Sequence, residues 1–136
     1  MLTQLEFTLK PYARGFHLIT DEVISHLGQL PELGLLSLFI KHTSAGLTIN
    51  ENCDSDVLYD FESVFNKIVP ENLPFLRHII EGPDDMPAHI KSVITGNSIT
   101  IPISNHTLNL GTWQGIYLCE FRNKAKGRAL VATMIE

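Results

Sequence analysis

The sequence predicts an α+β fold. Three observations carry that expectation. Six or seven short strand-like segments accompany about three amphipathic ones, by the periodicity of their apolar residues. The strands are not regularly separated by helices, as a parallel α/β sheet would require. The chain has 136 residues, enough for a real core, and short of the roughly 200 that a TIM barrel needs.

Leu5-Glu6-Phe7-Thr8-Leu9 alternates apolar and polar residues and reads as a half-buried strand. Phe16 to Ile19 reads as a second strand after a turn at Arg14-Gly15. Thr20 or Asp21 can cap a short helix with Val23, Ile24 and Leu27 on one face and Gly28 near its end. Gly34 to Ile40 is almost continuously apolar and reads as a buried central strand. Leu47-Thr48-Ile49 resumes the alternation. Asp54 or Ser55 can cap a helix in which Val57, Leu58, Phe61, Val64, Phe65 and Ile68 share a face, with Pro70 as its stop. Leu76 to Ile80 suits a short helical turn. Pro87 suits the first position of a third helix, which Gly96 closes. Ser98 to Ile103 alternates, and Pro102 places it at an edge or a bulge. Gly115 to Arg122 and Ala129 to Ile135 are the last strands. No linker, repeat or low-complexity tract interrupts residues 1–136, so one domain is expected.

Composition narrows the function. The chain is 44% hydrophobic and 18% charged, which opposes disorder. Its net charge is −5 and its basic residues are scattered, so no nucleic-acid footprint is visible. No apolar run approaches the ~18 residues of a membrane span, and the first residues do not resemble a signal peptide. Cys53 and Cys119 are far apart and suit two free, buried thiols in a reducing compartment, with the cytoplasm as default.

Three polar segments are candidates for a site. In the first, twelve residues from His78 to His89 hold two His, Glu81, Asp84 and Asp85. His78 and Glu81 are three apart, Asp85 and His89 four apart, so helical turns would point each pair the same way. Mixed nitrogen and oxygen donors suit Zn²⁺ or another first-row ion; carboxylates alone suit Mg²⁺. The plainer reading is that one Asp caps the following helix, but capping needs one acid, not three acids with two flanking histidines. The second segment is His42-Thr43-Ser44 at a strand end, followed by Asn50-Glu51. Ser44 lacks a nucleophile elbow, so Thr43 and Ser44 read as turn formers or phosphate hydrogen-bond donors. Asn50, Glu51 and Asp54 serve equally well as turn and cap residues. The third is Gly111-Thr112-Trp113-Gln114-Gly115. It is either a tight turn around a core Trp or a loop whose amides, Thr112 and Gln114 contact a ligand. Glu120 and Arg122 share one face of a strand and can pair, with Cys119 and Phe121 on the other.

The strings HTSAGLTINEN from His42, EGPDDMPAHIK from Glu81, LGTWQGIYLCEFR from Leu110 and GFHLITDE near the N-terminus resemble the YjbQ family, the secondary thiamine-phosphate synthase proteins. The resemblance runs essentially end to end. It implies a β-sandwich-like core with flanking helices, a homotrimer, and a metal-associated site at His42, His78 and His89. It also implies a weak or secondary transferase activity, in which hydroxymethylpyrimidine diphosphate is joined to thiazole phosphate with release of diphosphate. The leaving diphosphate would need a divalent metal, Zn²⁺ or Mg²⁺, or cations. On that scheme Glu81, Asp84, Asp85 and Arg122 serve the chemistry, with Lys91 and Arg122 as the nearest basic groups. Thr43, Ser44, Asn50, Lys91, Thr112, Trp113 and Gln114 would contact a small phosphorylated substrate. A metal-dependent hydrolase of a small phosphate ester or amide, or a non-enzymatic ligand-binding trimer, are the alternatives. Where the family often has Gly and then a basic residue ahead of GTWQG, this chain has His106-Thr107. That removes one phosphate-binding cation and adds a histidine near the expected site.

Overall fold

The computed structural model describes residues 1–136, with eight strands and three helices in two antiparallel sheets. The first sheet holds β1 (Leu2–Thr8), β8 (Ala129–Ile135), β3 (Leu33–Ile40), β5 (Ser98–Ser104) and β6 (Thr107–Leu108), in that order. The second holds β2 (Gly15–Leu18), β7 (Gln114–Glu120) and β4 (Ala45–Glu51). The chain crosses from one sheet to the other between β3 and β4, at residues 41–44.

Alternation decides the packing. Leu36, Leu38 and Ile40 of β3, Ile101 and Ile103 of β5, and Leu130 and Ala132 of β8 face inward. They meet Leu47 of β4 and Ile116 and Leu118 of β7 in one continuous core. Each such Leu or Ile contributes about 1.5–3 kcal/mol by leaving water. Helix α1 (Thr20–Leu27) adds Val23 and Leu27 to this core. A third layer covers the other side of the smaller sheet. There Phe16, Tyr117, Cys119 and Phe121 pack against Ala88 of α3 (Asp85–Thr95) and against Leu58, Phe61 and Phe65 of α2 (Ser55–Ile68).

Several sequence expectations need correction. The strand buried on both faces is β7, because helices cover its outer side; β3 is central but only half buried, exposing Leu33, Leu35 and Phe39. An apolar run reports what is available for burial, not how many layers cover it. Residues 76–79 form no helical turn. Pro87 is the third residue of α3, which starts at Asp85. Neither Thr20 nor Asp21 caps α1, since Ile19 occupies that position and the Thr20 hydroxyl accepts the Ile116 N–H instead. Asp54 does cap α2, accepting the Asp56 N–H at 2.9 Å. Pro102 lies where β5 is nearly an edge, because β6 pairs only with Ile103 and Ser104.

One glycine fixes the seat of the third layer. A Cβ on Gly46 would lie 2.0 Å from Thr95 Oγ1 and 2.9 Å from the Gly96 carbonyl. Only a bare backbone lets the end of α3 close onto β4, and that contact sets where α3 presents its first turns.

Candidate metal centre

Asp85 is the hub. Its side chain is 7% exposed, and its two oxygens face different partners. Oδ2 lies 2.7 Å from His78 Nε2 and 3.1 Å from His89 Nε2. Oδ1 accepts from Arg122 Nη1. Arg122 also donates through Nε to Asp84 Oδ2 at 2.9 Å and through Nη2 to the Glu81 carbonyl at 3.1 Å. Asp84 Oδ2 accepts the Asn123 N–H as well, at 2.9 Å. The Asp84 carboxylate therefore does not cap α3, as the plainer reading had it; it anchors Arg122. Adjacent acids at the start of one helix thus take different tasks: one holds the arginine, the other is held by it.

Burial alone would raise both carboxyl pKa values. For Asp85 that effect is outweighed by the hydrogen bond from His78 and by the neighbouring His89 and Arg122, so its pKa lies below the usual range. For Asp84 the Asn123 N–H and Arg122 do the same. Both stay ionised near neutral pH.

The tautomer of His89 follows from its other nitrogen. Nδ1 lies 2.9 Å from the Thr43 carbonyl, which can only accept, so Nδ1 carries the proton. Nε2 of the neutral ring then points a lone pair at a carboxylate oxygen 3.1 Å away. That contact repels unless a proton or a cation lies between. His78, Asp85 and His89 each offer one ligand atom, and the three atoms lie within 4.8 Å of one another. Two imidazoles and a carboxylate, one imidazole oriented by a backbone carbonyl and the carboxylate by a guanidinium, form a donor set that fits a first-row divalent ion. Glu81, half exposed, has its carboxylate 3.3 Å from His78 Nε2.

His42 stands apart from this trio. Its Nε2 accepts the Ala129 N–H at 2.8 Å, so that lone pair is not free for a metal. Burial, and then the Arg128 charge, lower its pKa. The converging set is His78, Asp85 and His89, with Asp85 in the place expected for His42. Lys91, expected near phosphate, is fully buried on the far side of α3. Its Nζ donates to Asn66 Oδ1 at 2.8 Å and lies over the Phe121 ring; burial lowers its pKa, and Arg14 nearby adds to this. Arg122 is wholly engaged with Asp84, Asp85 and the Glu81 carbonyl. Glu120 does not pair with its side chain but with Arg128, and accepts only the Arg122 backbone N–H.

Thr43 borders the trio through its carbonyl, whereas the Ser44 carbonyl accepts from Arg128 and no Ser44 bond reaches the trio. Asn50, Thr112, Trp113 and Gln114 do not reach it. They lie at the opposite end of β4 and β7, where Glu51 pairs with Gln114, whereas Ala45 pairs with Glu120 at the near end. Six residues of strand separate the ends by about 20 Å. Trp113 is 62% exposed and is no core residue. His106 is also remote: Asn105 and His106, both at positive φ, form the turn between β5 and β6, and His106 donates to the Leu30 carbonyl.

The profile of the family described as UPF0047 protein YjbQ-like matches residues 5–136. The chain belongs to this family. YjbQ of Escherichia coli is 46% identical over 136 residues, covering 98% of each chain. YjbQ of Salmonella typhimurium is 50% identical over the same length and coverage. Among solved structures, a conserved hypothetical protein of Thermus thermophilus superposes with a TM-score of 0.82 at 32% identity, covering 93% of this chain and 97% of that one. A YjbQ/UPF0047 family protein of Clostridium acetobutylicum gives 0.81 at 36% identity, covering 96% and 99%.

In this YjbQ-like chain, sequence reasoning missed the Glu120–Arg128 pair. Arg128 donates through Nε to Oε1 at 2.7 Å and through Nη2 to Oε2 at 2.5 Å. It also missed Arg14, which joins Glu62, Glu71, Asn66 and Asn123. A lone Arg beside a strand inside a basic turn gave no signal of burial. No helix is long and apolar enough to cross a membrane.

Proposed function

We propose that this YjbQ-like protein is a metal-dependent enzyme acting on small phosphorylated molecules at His78, Asp85 and His89. The observation that carries this reading is the approach of His89 Nε2 and His78 Nε2 to one oxygen of a clamped, ionised carboxylate. Two nitrogen donors favour Zn²⁺ or a similar ion over Mg²⁺, which prefers an all-oxygen shell. A divalent ion held there would supply charge neutralisation for phosphate oxygens. Asp85 would help to hold it, with Arg122 occupying Oδ1 of the same carboxylate. Thr43, by accepting the His89 Nδ1–H, would leave Nε2 free to help hold the ion. Glu81, exposed at the rim, is placed to accept or give a proton.

The specific reaction to test is the one the family resemblance implies: formation of thiamine phosphate from hydroxymethylpyrimidine diphosphate and thiazole phosphate. A second reading is favoured by the state of the cations. Lys91 is buried and Arg122 is engaged by both aspartates, so neither is free for a diphosphate. Hydrolysis of a phosphate monoester releases less charge and needs fewer cations.

Metal content and both turnovers should be measured on one preparation, before and after chelation, and on Asp85→Asn. Thiamine phosphate formation restored by metal and abolished in Asp85→Asn supports the synthase. Ester cleavage with the same dependence supports the hydrolase. Metal that raises the melting temperature with no turnover of either kind would leave a non-enzymatic metal-binding role.

The outer face of the five-stranded sheet supports an assembly. Leu35 and Phe39 are each 44% exposed and Ile135 49%, on a face without a helix above it. We infer that further copies of the chain cover it, as the homotrimer implied by the resemblance would require.

A further inference from the structure

A groove of about 710 Å³ borders His89 and does not include Asp85. It is lined by His42, Thr43, His89, Ser92, Val93, Gly96 and Asn97, and so contains no Asp, Glu, Lys or Arg. Its size falls within the roughly 300–1,000 Å³ typical of small-molecule sites. Many of its polar groups are already committed. Ser92 Oγ donates to the Ala45 carbonyl, the Asn97 carbonyl accepts the Ile40 N–H, and His89 Nδ1 donates to Thr43.

His42 is different. A backbone N–H can only donate, so the Ala129 N–H at 2.8 Å fixes Nε2 as an acceptor and places the ring proton on Nδ1. No group of the protein takes that Nδ1–H, and it is not among the atoms sealed away from solvent. His42, a lining residue of a groove without a charged side chain, therefore carries one preset donor with no partner in the protein, and His89 is the wall shared with the trio.

We propose that this groove holds the uncharged, acceptor-bearing end of the substrate, a ring nitrogen or carbonyl oxygen that takes the His42 Nδ1–H, while the phosphorylated end reaches His78, Asp85 and His89. This rests on the reading of the trio given above. It makes His42 a substrate-binding residue and not a metal ligand. A phosphate does not suit the groove, because no lysine or arginine lines it to balance the charge.

The test is a titration of protein carrying ¹⁵N-labelled histidine, with uncharged 4-amino-5-hydroxymethyl-2-methylpyrimidine as probe and inorganic phosphate as comparator. The expected result is a His42 ring protonated at Nδ1 and bare at Nε2. The pyrimidine should shift the His42 Nδ1 signal saturably, and phosphate should leave it in place. His42→Phe should weaken the probe about fivefold, the value of one net hydrogen bond, without lowering metal content. A proton on Nε2, a His42 signal unmoved by the probe, an equal response to phosphate, or metal lost in His42→Phe would each overturn the assignment. If the wild-type protein binds no metal, the reading of the trio fails by itself, while the His42 titration is still decided by its own signals.

Discussion

Replacing Arg128 by Met should cost this protein about 3–5 kcal/mol, the usual penalty for breaking a buried ion pair from one side. The geometry puts the residue in that class. Glu120 is 0% exposed, Arg128 is 7% exposed, and the two are joined by paired hydrogen bonds of 2.7 and 2.5 Å. Removing the guanidinium leaves a carboxylate with no route to water and strips the Ser44 carbonyl of its 3.2 Å donor. Removing both charges, in Glu120→Leu with Arg128→Met, abolishes the orphan and should recover at least about 2 kcal/mol relative to the single change. Urea unfolding at one fixed protein concentration reads both. With a slope of about 2 kcal/mol per molar, the single variant should lose roughly 2 M in midpoint. A loss below roughly 0.5 M, or a double variant no better than the single, would refute the assignment of this pair as a closed, desolvated unit.

Arg122→Gln should lower transition-metal affinity about 10–100-fold, as loss of an outer-shell partner does, measured by competition with a chromophoric chelator. His42 has a folded pKa below its unfolded value of about 6.5, so the unfolded chain binds more protons as pH drops; stability should fall from about pH 7 through 6.5 towards the folded pKa, and that slope should shrink in His42→Asn. Only Cys119 is buried, its thiol pushed far up, whereas Cys53 lies exposed against the expectation of two buried thiols, so a thiol reagent should modify one cysteine in the folded protein and both after unfolding. Phe39→Asp should reduce the molar mass measured by light scattering towards that of one chain without loss of secondary structure; an unchanged mass would remove the outer sheet face as an interface.

Much of the fold was legible because its signals are local. Alternation located the strands, Asp54 and Pro70 bracketed α2, and Gly96 closed α3. What alternation could not supply was the number of layers, so the doubly covered strand was assigned to β3 instead of β7. The site divided in the same way. His78, Asp85 and His89 fall within twelve residues, and sequence spacing was enough to group them. Arg122, nearly forty residues further on, was visible as a charge but not as the clamp on Asp84 and Asp85, because that depends on how β7 meets the start of α3. Asn50, Trp113 and Gln114 looked like neighbours of the trio only because composition carries no distances. His42 lost its place as a ligand to a backbone N–H, which no side-chain pattern announces.

The crossing between the sheets has a mechanical consequence. Residues 41–44 are the strap joining β3 of the larger sheet to β4 of the smaller, and Thr43 in that strap holds His89 by its carbonyl. The helix bearing His89 and Asp85 rides on the smaller sheet, while Ala129, which grips His42, begins a strand of the larger one. The end of α3 is tied to both sheets as well, its Gly96 carbonyl accepting the Leu47 N–H of β4 and the Asn97 carbonyl just beyond it accepting the Ile40 N–H of β3. His89 is thus held from the joint between the two sheets, whereas Asp85 is held by Arg122, just past the end of β7 in the smaller sheet alone.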